Sequence, residues 1–420
     1  MYGLPMFLLL QKGLGQRTKT ETNRSRDIVK SMEQCNISSS NKNQVQLILT
    51  NKEFTMLSKV STVAFRVKYR LPMIDSVVIE VGNSKNFFEP SFQGNKEVEM
   101  DSIIQAQMKR AGSIIQLESA HEKGIYGEGI GVAILDTGIY PHPDFTYGRN
   151  RIVAFYDVIN GRKIPYDDNG HGTHVAGIIA GNGSESKGEY IGVAPKCNII
   201  GVKVLNHKGN GNVSDVLQGL QWVVDNKERY NIKVVNISVG TSTTDSMDEE
   251  SALVRGVNAV WDAGIIVVVA AGNNGPKPKS ISTPGISRKV ITVGASDDDI
   301  PVELAGTKAK DYSGRGPTAA CIKKPDVVAP GSNIVSCNAS RGKNTFSFFG
   351  SRRDYSMYTV KSGTSMATPI VSGAIVLLLS LYPEMTNQEV KLRIKNSAID
   401  LGQPWSKQGW GLLNVKELLR

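Results

Sequence analysis

From Ile130 onward, short runs of β-branched residues alternate with stretches of helical spacing. The runs are GVAIL, NIIGVKVL, KVVNISVG, GIIVVVAAG, KVITVGA and PDVVAPG. Each is apolar at nearly every position instead of every second one, as a strand covered on both faces of a parallel sheet must be. Between them THVAGIIAG, SDVLQGLQWVVDNKER, ALVRGVNAVWDAG and TSMATPIVSGAIVLLLSLYP fit helices, the last ending at Pro383. The pattern predicts an α/β fold over residues 106–420, with a mostly parallel sheet and helices on both faces.

Ahead of it the grammar differs. QVQLILT, VAFRVKYR and SVVIEV read as strands separated by the turn-prone GNSKN and FQGNKE, which predicts a small α+β unit over 43–105. Residues 1–42 are polar and weakly periodic, as in a loosely ordered leader. Residues 101–123 have helical spacing and the dibasic pair Lys109 and Arg110, which suits a linker or a first helix.

Composition sharpens this picture in a few places. Glycine is 42 of 420 residues, so many tight turns or close backbone approaches are expected. The net charge is +10, and residues 1–110 supply +6 of it, with 16 Lys and Arg against 10 Asp and Glu. Those charges are scattered, without an RNA-binding aromatic motif or zinc-finger spacing, which argues against a nucleic-acid partner. Cys35, Cys197, Cys321 and Cys337 are too sparse for a disulfide scaffold and form no CxxC pair. PMFLLL lacks the basic flank and cleavage site of a signal peptide, and no uncharged apolar run reaches the ~18–20 residues that cross a bilayer. A soluble, cytoplasmic protein without a membrane partner is the expectation.

In an open parallel sheet the chemistry lies at the carboxyl ends of the strands. Asp136 ends the first run, directly before a Thr-Gly turn, and reads either as a turn residue or as a carboxylate facing the crevice. His171 follows a glycine turn in DDNGHGTHVAG; with His174 it suggests zinc, but HExxH is absent and no Cys or Glu ligand lies at suitable spacing. A packed histidine and a catalytic base remain open. Ser365 opens the long apolar helix, where it could cap the helix or, if Thr364 caps instead, keep its hydroxyl for chemistry. Asn273 follows a buried strand in AAGNNGP, as a turn residue or as an amide donor to a developing oxyanion. GEGIGV, at 127–132, precedes its strand and so fails the dinucleotide-binding context.

DTG around Asp136, HGTHVAG around His171, AAGN around Asn273 and GTSMATP around Ser365 together resemble the signature blocks of the subtilases, the subtilisin-like serine proteases. The order Asp, His, Ser is that of subtilisin, whereas α/β-hydrolases run Ser, Asp, His and chymotrypsin-like enzymes His, Asp, Ser. YIGVAP, GVKVL, NISVG, SGRGP and PDVVAPG extend the resemblance over roughly 125–415. PHPD after DTG, and YDDNGHGTH, are similar to the cytoplasmic alkaline branch of bacterial subtilases.

The resemblance implies a serine endopeptidase acting on polypeptides through an acyl-enzyme, with Ser365 as nucleophile, His171 as base, Asp136 orienting the imidazole, and Asn273 in the oxyanion hole. It implies substrate bound as an extended strand between Lys208–Asn212, which includes Gly209, Asn210 and Gly211, and Ser238–Gly240. A roomy, uncharged first pocket would be walled by Ser238, Val239, Gly240, Ala270, Ala271 and Gly272, with Ser282 near its base. No cofactor is required for the chemistry. Asp144 aligns with a calcium ligand of the family, although the partner loop GNGSESKGEY departs from the family pattern. Residues 43–105 stand where the family carries an inhibitory propeptide, with self-cleavage expected between Lys96 and Glu118. The rival expectation is a silent subtilase serving as a binding or signalling module; the intact set Asp136, His171, Asn273 and Ser365 argues for the enzyme.

Overall fold

The computed structural model describes residues 44–52, 54–55, 65–71, 76–82, 98–100, 107–241, 250–304, 306–339 and 357–420. The expected leader at 1–42, Cys35, most of the expected turns between 83 and 97, and the start of the expected linker lie outside the described residues. Internal contacts divide the chain into Met1–Ile104 and Gln105–Arg420.

In the first unit β1 (Gln44–Thr50), β2 (Phe65–Leu71), β3 (Ser76–Gly82) and β4 (Val98–Met100) form an antiparallel sheet of order β2-β3-β1-β4. Val77 and Ile79, alternate residues of β3, are fully buried, so one face of this sheet is covered.

The second unit is built on seven parallel strands: β5 (Gly131–Asp136), β6 (Ile152–Asp157), β7 (Asn198–Lys203), β8 (Ile232–Ile237), β9 (Ile266–Ala270), β10 (Ile291–Ala295) and, after the short hairpin of β11 (Val302–Leu304) and β12 (Thr307–Ala309), β13 (Val327–Ala329). Their order is β13-β10-β9-β8-β5-β7-β6. Every residue of β5, β9 and β10 is buried, which accounts for the continuous apolar runs in the sequence. The hairpin of β14 (Ile334–Cys337) and β15 (Tyr358–Lys361) stands apart from this sheet.

Six longer helices accompany the strands: α1 (Gln107–Ile114), α2 (His171–Ala180), α3 (Val213–Asn226), α4 (Ala252–Asp262), α5 (Thr364–Leu381) and α6 (Asn387–Ser397). Helix α2 packs on α5 and α3 on α4, and each pair also contacts the sheet. Against the expectation that no uncharged apolar run reaches that length, helix α5 is long and apolar enough to cross a membrane, yet 83% of it is buried, so its apolarity serves the core. Ala111, Ile115, Leu117 and Ala120 join the same core, so the segment that could have been a linker is a first helix of this unit.

From β5 the chain moves to β6 and β7 on one side, then returns past β5 to β8, β9, β10 and β13 on the other. The sheet therefore reverses direction at β5, and the crevice at the carboxyl ends there is where the fold collects residues from several strands. Asp136 is the last residue of β5, in register with Lys203, the last of β7.

Candidate active site

Asp136 is fully buried at the end of β5. Its Oδ1 accepts the Thr137 backbone N–H at 2.7 Å, which turns the carboxylate toward the start of α2. There His171 is the first helical residue, and its Nδ1 lies 2.8 Å from Asp136 Oδ1 and 3.0 Å from Oδ2. Nδ1–H therefore donates to the carboxylate, and Nε2 is the nitrogen left for a reacting partner. Burial pulls the His171 pKa down, but the charge and hydrogen bond of Asp136 outweigh it, and the net shift is upward from 6.5.

Ser365 is the second residue of α5 and half-buried. The sequence left Ser365 or Thr364 as the cap; the structure gives that place to Gly363, which has no side chain and adopts φ 132°. Thr364 serves Asn273 instead. Its backbone N–H and Oγ1–H both donate to Asn273 Oδ1, at 2.9 and 3.0 Å, while its Oγ1 accepts Gly272 N–H at 3.1 Å. With Oδ1 so engaged, the amide orientation of Asn273 is decided: Nδ2 is the free end. Among the described residues, neither Asn273 Nδ2–H nor the Ser365 backbone N–H has an acceptor, and Asn273 is exposed. Two unspent donors thus stand beside one hydroxyl.

That hydroxyl donates to the Ser238 carbonyl oxygen at 2.7 Å. A serine has one proton to give, so in this rotamer it is spent on Ser238 and not on His171. The proposed reaction requires that hydroxyl to turn from Ser238 to His171 Nε2.

The expected substrate-binding residues divide. Gly209, with φ 79°, belongs to a turn in which Asn206 Oδ1 accepts from Lys208 N–H and Asn210 N–H, at 2.9 and 3.2 Å. Lys208–Asn212 is therefore not one extended edge: its first residues are a turn, because the Asn206 side chain closes on the backbone ahead of it. Asn210 and Gly211 are exposed beyond that turn. The Ser238 side chain is buried and donates to the Ser365 carbonyl oxygen at 3.0 Å, so it faces α5, and only its backbone remains for a substrate wall. Val239 and Gly240 continue from it toward the surface. Ala270 and Ala271 are buried at the end of β9. Gly272, at φ 88°, passes so close to Ser282 that a Cβ there would collide with Ser282 Oγ and Cβ, and a Cβ on Gly240 would lie 3.2 Å from Ser282 Cβ. Ser282 and these two glycines hence form one small-residue surface without charge.

Asp144 does not suit calcium. Its buried carboxylate accepts from Gly183 N–H (3.2 Å), Glu185 N–H (3.2 Å), Ser184 Oγ (3.1 Å), Tyr358 OH (3.0 Å) and the Cys337 thiol (3.6 Å). All five point hydrogens at the oxygens, where a cation would need lone pairs; calcium takes about six to eight oxygen ligands. His142, Asp144 and Cys337 cluster closely enough to share a metal ion. However, His142 Nδ1 already accepts Asp144 N–H at 3.1 Å, and its Nε2 meets the Met357 carbonyl at 2.9 Å. Burial holds the Cys337 thiol well above its ordinary pKa, so it stays protonated and is a donor, not a thiolate ligand. His174, the other candidate in the zinc reading, is buried with Nε2 against the Ile334 and Thr359 carbonyls, both at 3.1 Å.

Several working residues escaped the sequence reading. Asp167 was visible only as part of the DDNG turn, and the bonds by which Thr137 holds Asp136 and Thr364 holds Asn273 were not foreseen, although both threonines stood in the quoted blocks. Tyr358 and Cys337, which close on Asp144, come from a hairpin that the apolar pattern does not mark.

A model of the subtilase family matches residues 127–411. Serine protease AprX of Bacillus subtilis (strain 168) is 44% identical over 293 residues, covering 66% of this chain and 65% of that protein. The chain thus aligns with a little under two thirds of that relative's length. Subtilisin Savinase of Lederbergia lenta is 35% identical over 308 residues, covering 73% of this chain and 97% of that protein. A crystal structure of a cold adapted subtilisin-like serine proteinase superposes with a TM-score of 0.53 at 29% identity, covering 69% of this chain and 90% of that one. With the fold, the order of the signature blocks and these relatives in agreement, the chain belongs to the subtilase family of subtilisin-like serine proteases.

Proposed function

We propose that the chain hydrolyses internal peptide bonds through an acyl-enzyme formed on Ser365. The observation that carries this is the bond from His171 Nδ1 to Asp136 at 2.8 Å, which commits the imidazole to one tautomer with Nε2 as its basic end. Ser365 Oγ attacks the scissile carbonyl carbon while Nε2 takes the hydroxyl proton. The carbonyl oxygen, now anionic, meets Asn273 Nδ2–H and the Ser365 backbone N–H. Collapse of the tetrahedral species expels the amine with the proton held on Nε2, and water repeats the sequence to free the acid. Asp136 keeps accepting from Nδ1–H and stabilises the imidazolium. The Ser282, Gly272 and Gly240 surface supports a first pocket for large uncharged side chains.

A fluorophosphonate titration tests the reading, since an active subtilase loses one serine per chain and Ser365→Ala loses the label. An unlabelled wild type would favour a silent binding module.

The finer proposal is that the N-terminal unit inhibits the enzyme until it is cut away. It is supported by the separation of contacts after Ile104 and by the burial of Ala111, Ile115 and Leu117 in the core of the second unit. Cleavage beyond Arg110 would begin to strip those core residues, which narrows the expected site to 96–110. Ser365→Ala should then persist as one 45.5 kDa chain while wild type shortens by about a quarter. An active wild type that stays full length would refute it.

A further inference from the structure

Asp167 lies four residues before His171 and takes five hydrogen bonds on one carboxylate. Oδ1 accepts from Thr137 Oγ1 (2.9 Å), Asn169 N–H (3.0 Å) and Gly170 N–H (2.8 Å). Oδ2 accepts from Thr173 N–H (2.9 Å) and Thr173 Oγ1 (2.6 Å). Helix α2 has need of such a group. Its cap, Gly170, offers no side chain, and the first N–H groups of a helix have no partner within it. Thr173 N–H goes to Asp167, and Gly172 N–H goes to Thr137 Oγ1 at 2.9 Å.

The consequence is geometric. Thr137 follows Asp136 and Gly172 follows His171, so the Thr137–Gly172 bond runs beside the Asp136–His171 bond, between the same two stretches of backbone. Asp167 fixes Thr137 and Thr173 together and so joins the end of β5 to the first turn of α2. The approach is close enough that a Cβ on Gly172 would overlap the Gly138 carbonyl oxygen and lie 3.1 Å from Asp136 Cβ. Behind Thr137, the fully buried Lys203 ammonium donates to the Thr137 and Leu205 carbonyls and pairs with Asp168 at 2.7 Å, securing the neighbouring residue of the same turn.

We propose that Asp167 is a positioning residue for the reaction, docking the first turn of α2 onto the end of β5 and thereby setting how His171 meets Asp136. The inference rests on the serine-protease reading. The charges that face the imidazole are Asp136 from β5, Asp167 from the turn, and Lys361 from β15, with His174 on the same helix. Losing Asp167 removes a negative charge and loosens the pairing with Asp136; both favour the neutral ring.

The experiment compares Asp167→Ala, Asp167→Asn and Thr173→Ala with wild type in the full chain, with rates expressed per serine titrated by fluorophosphonate. Asp167→Ala is expected to lower kcat by about tenfold to 10²-fold, the scale of a small misplacement of a catalytic group, with KM unchanged. Its acid limb of kcat/KM should move to lower pH. Asp167→Asn keeps one oxygen for Thr137, Asn169 and Gly170, so it should recover part of kcat while its acid limb stays shifted. Should Asp167→Ala fail to fold, Asp167→Asn and Thr173→Ala carry the same readouts. Variants with wild-type kcat per titrated serine and an unmoved acid limb, or a loss confined to the titratable fraction, would overturn the inference alone. An unlabelled wild type would overturn the serine-protease reading and this inference with it.

Discussion

Acidification should destabilise this protein through His174, a residue that takes no part in the proposed reaction. The ring is fully buried in α2, with Nε2–H shared between two carbonyls and no partner for Nδ1. Burial, then the charges of Lys361 and His171, lower its pKa from 6.5 to about 3. Between those values the unfolded chain binds the proton and the folded chain does not, so this stability is present above 6.5 and is lost as pH falls toward 3. His171 adds no slope there, because a raised pKa gives a contribution already complete below 6.5. His142 and His121 are lowered chiefly by burial, and they add slope of the same sign. Integrated from pH 6.5 to 5, a folded value that far below the window gives about 1.5 kcal/mol for His174 alone. The assay is urea unfolding of Ser365→Ala, which avoids self-digestion, at both pH values. His174→Gln in that background keeps an N–H donor for the carbonyls but cannot titrate, so its loss between the two pH values should be smaller by about that amount. An identical loss in both proteins would refute the reasoning.

Three further outcomes follow from the site. Asn273→Ala should lower kcat with KM nearly unchanged, because the amide meets negative charge only as the transition state forms; loss of such a donor costs ~10²–10³ in subtilisin. A rise confined to KM would make Asn273 a substrate-positioning group. The acid limb of kcat/KM should lie above 6.5, since the His171 pKa is raised and the base must be neutral, and a limb below 6.5 in a pH–rate profile would contradict the pairing with Asp136. Asp144→Asn should lower the thermal midpoint equally in excess calcium and in chelator, because it replaces one of the two oxygens that serve five donors by an NH2 group facing them; a loss seen only with calcium would restore the metal reading.

The sheet was legible because its strands are buried on both faces, which leaves continuous apolar runs that few other contexts produce. The outer elements were not. β6 is only partly buried between its ends, and β14 and β15 are four residues each, too short to show a period. Helix α6 carries a capping box from Thr386 to Glu389 that a search for start signals would have found, but its sequence is largely polar and gives little periodicity.

In the site, the side chains that the proposed reaction uses could be named from their blocks, while the contacts that orient them could not, because orientation is settled between segments far apart in the chain. Thr364 meets Asn273 across 91 residues, and Tyr358 meets Asp144 across 214. The spacing in GTSMATP nevertheless has a physical reading once the contacts are known. Pro369 stands four residues after Ser365 inside α5 and has no N–H, so it cannot occupy the Ser365 carbonyl as a helix residue normally would. Ser238 Oγ fills that role from the end of β8, at 3.0 Å, and itself accepts from Asn236 Nδ2 at 2.9 Å, whose Oδ1 takes the Ser372 hydroxyl at 2.9 Å. The Ser238 carbonyl meanwhile holds the Ser365 hydroxyl. The proposed nucleophile is thus tied by its backbone to the sheet that carries Asp136 as well as to its own helix. Ser238 accordingly matters to Ser365 before it matters to any substrate.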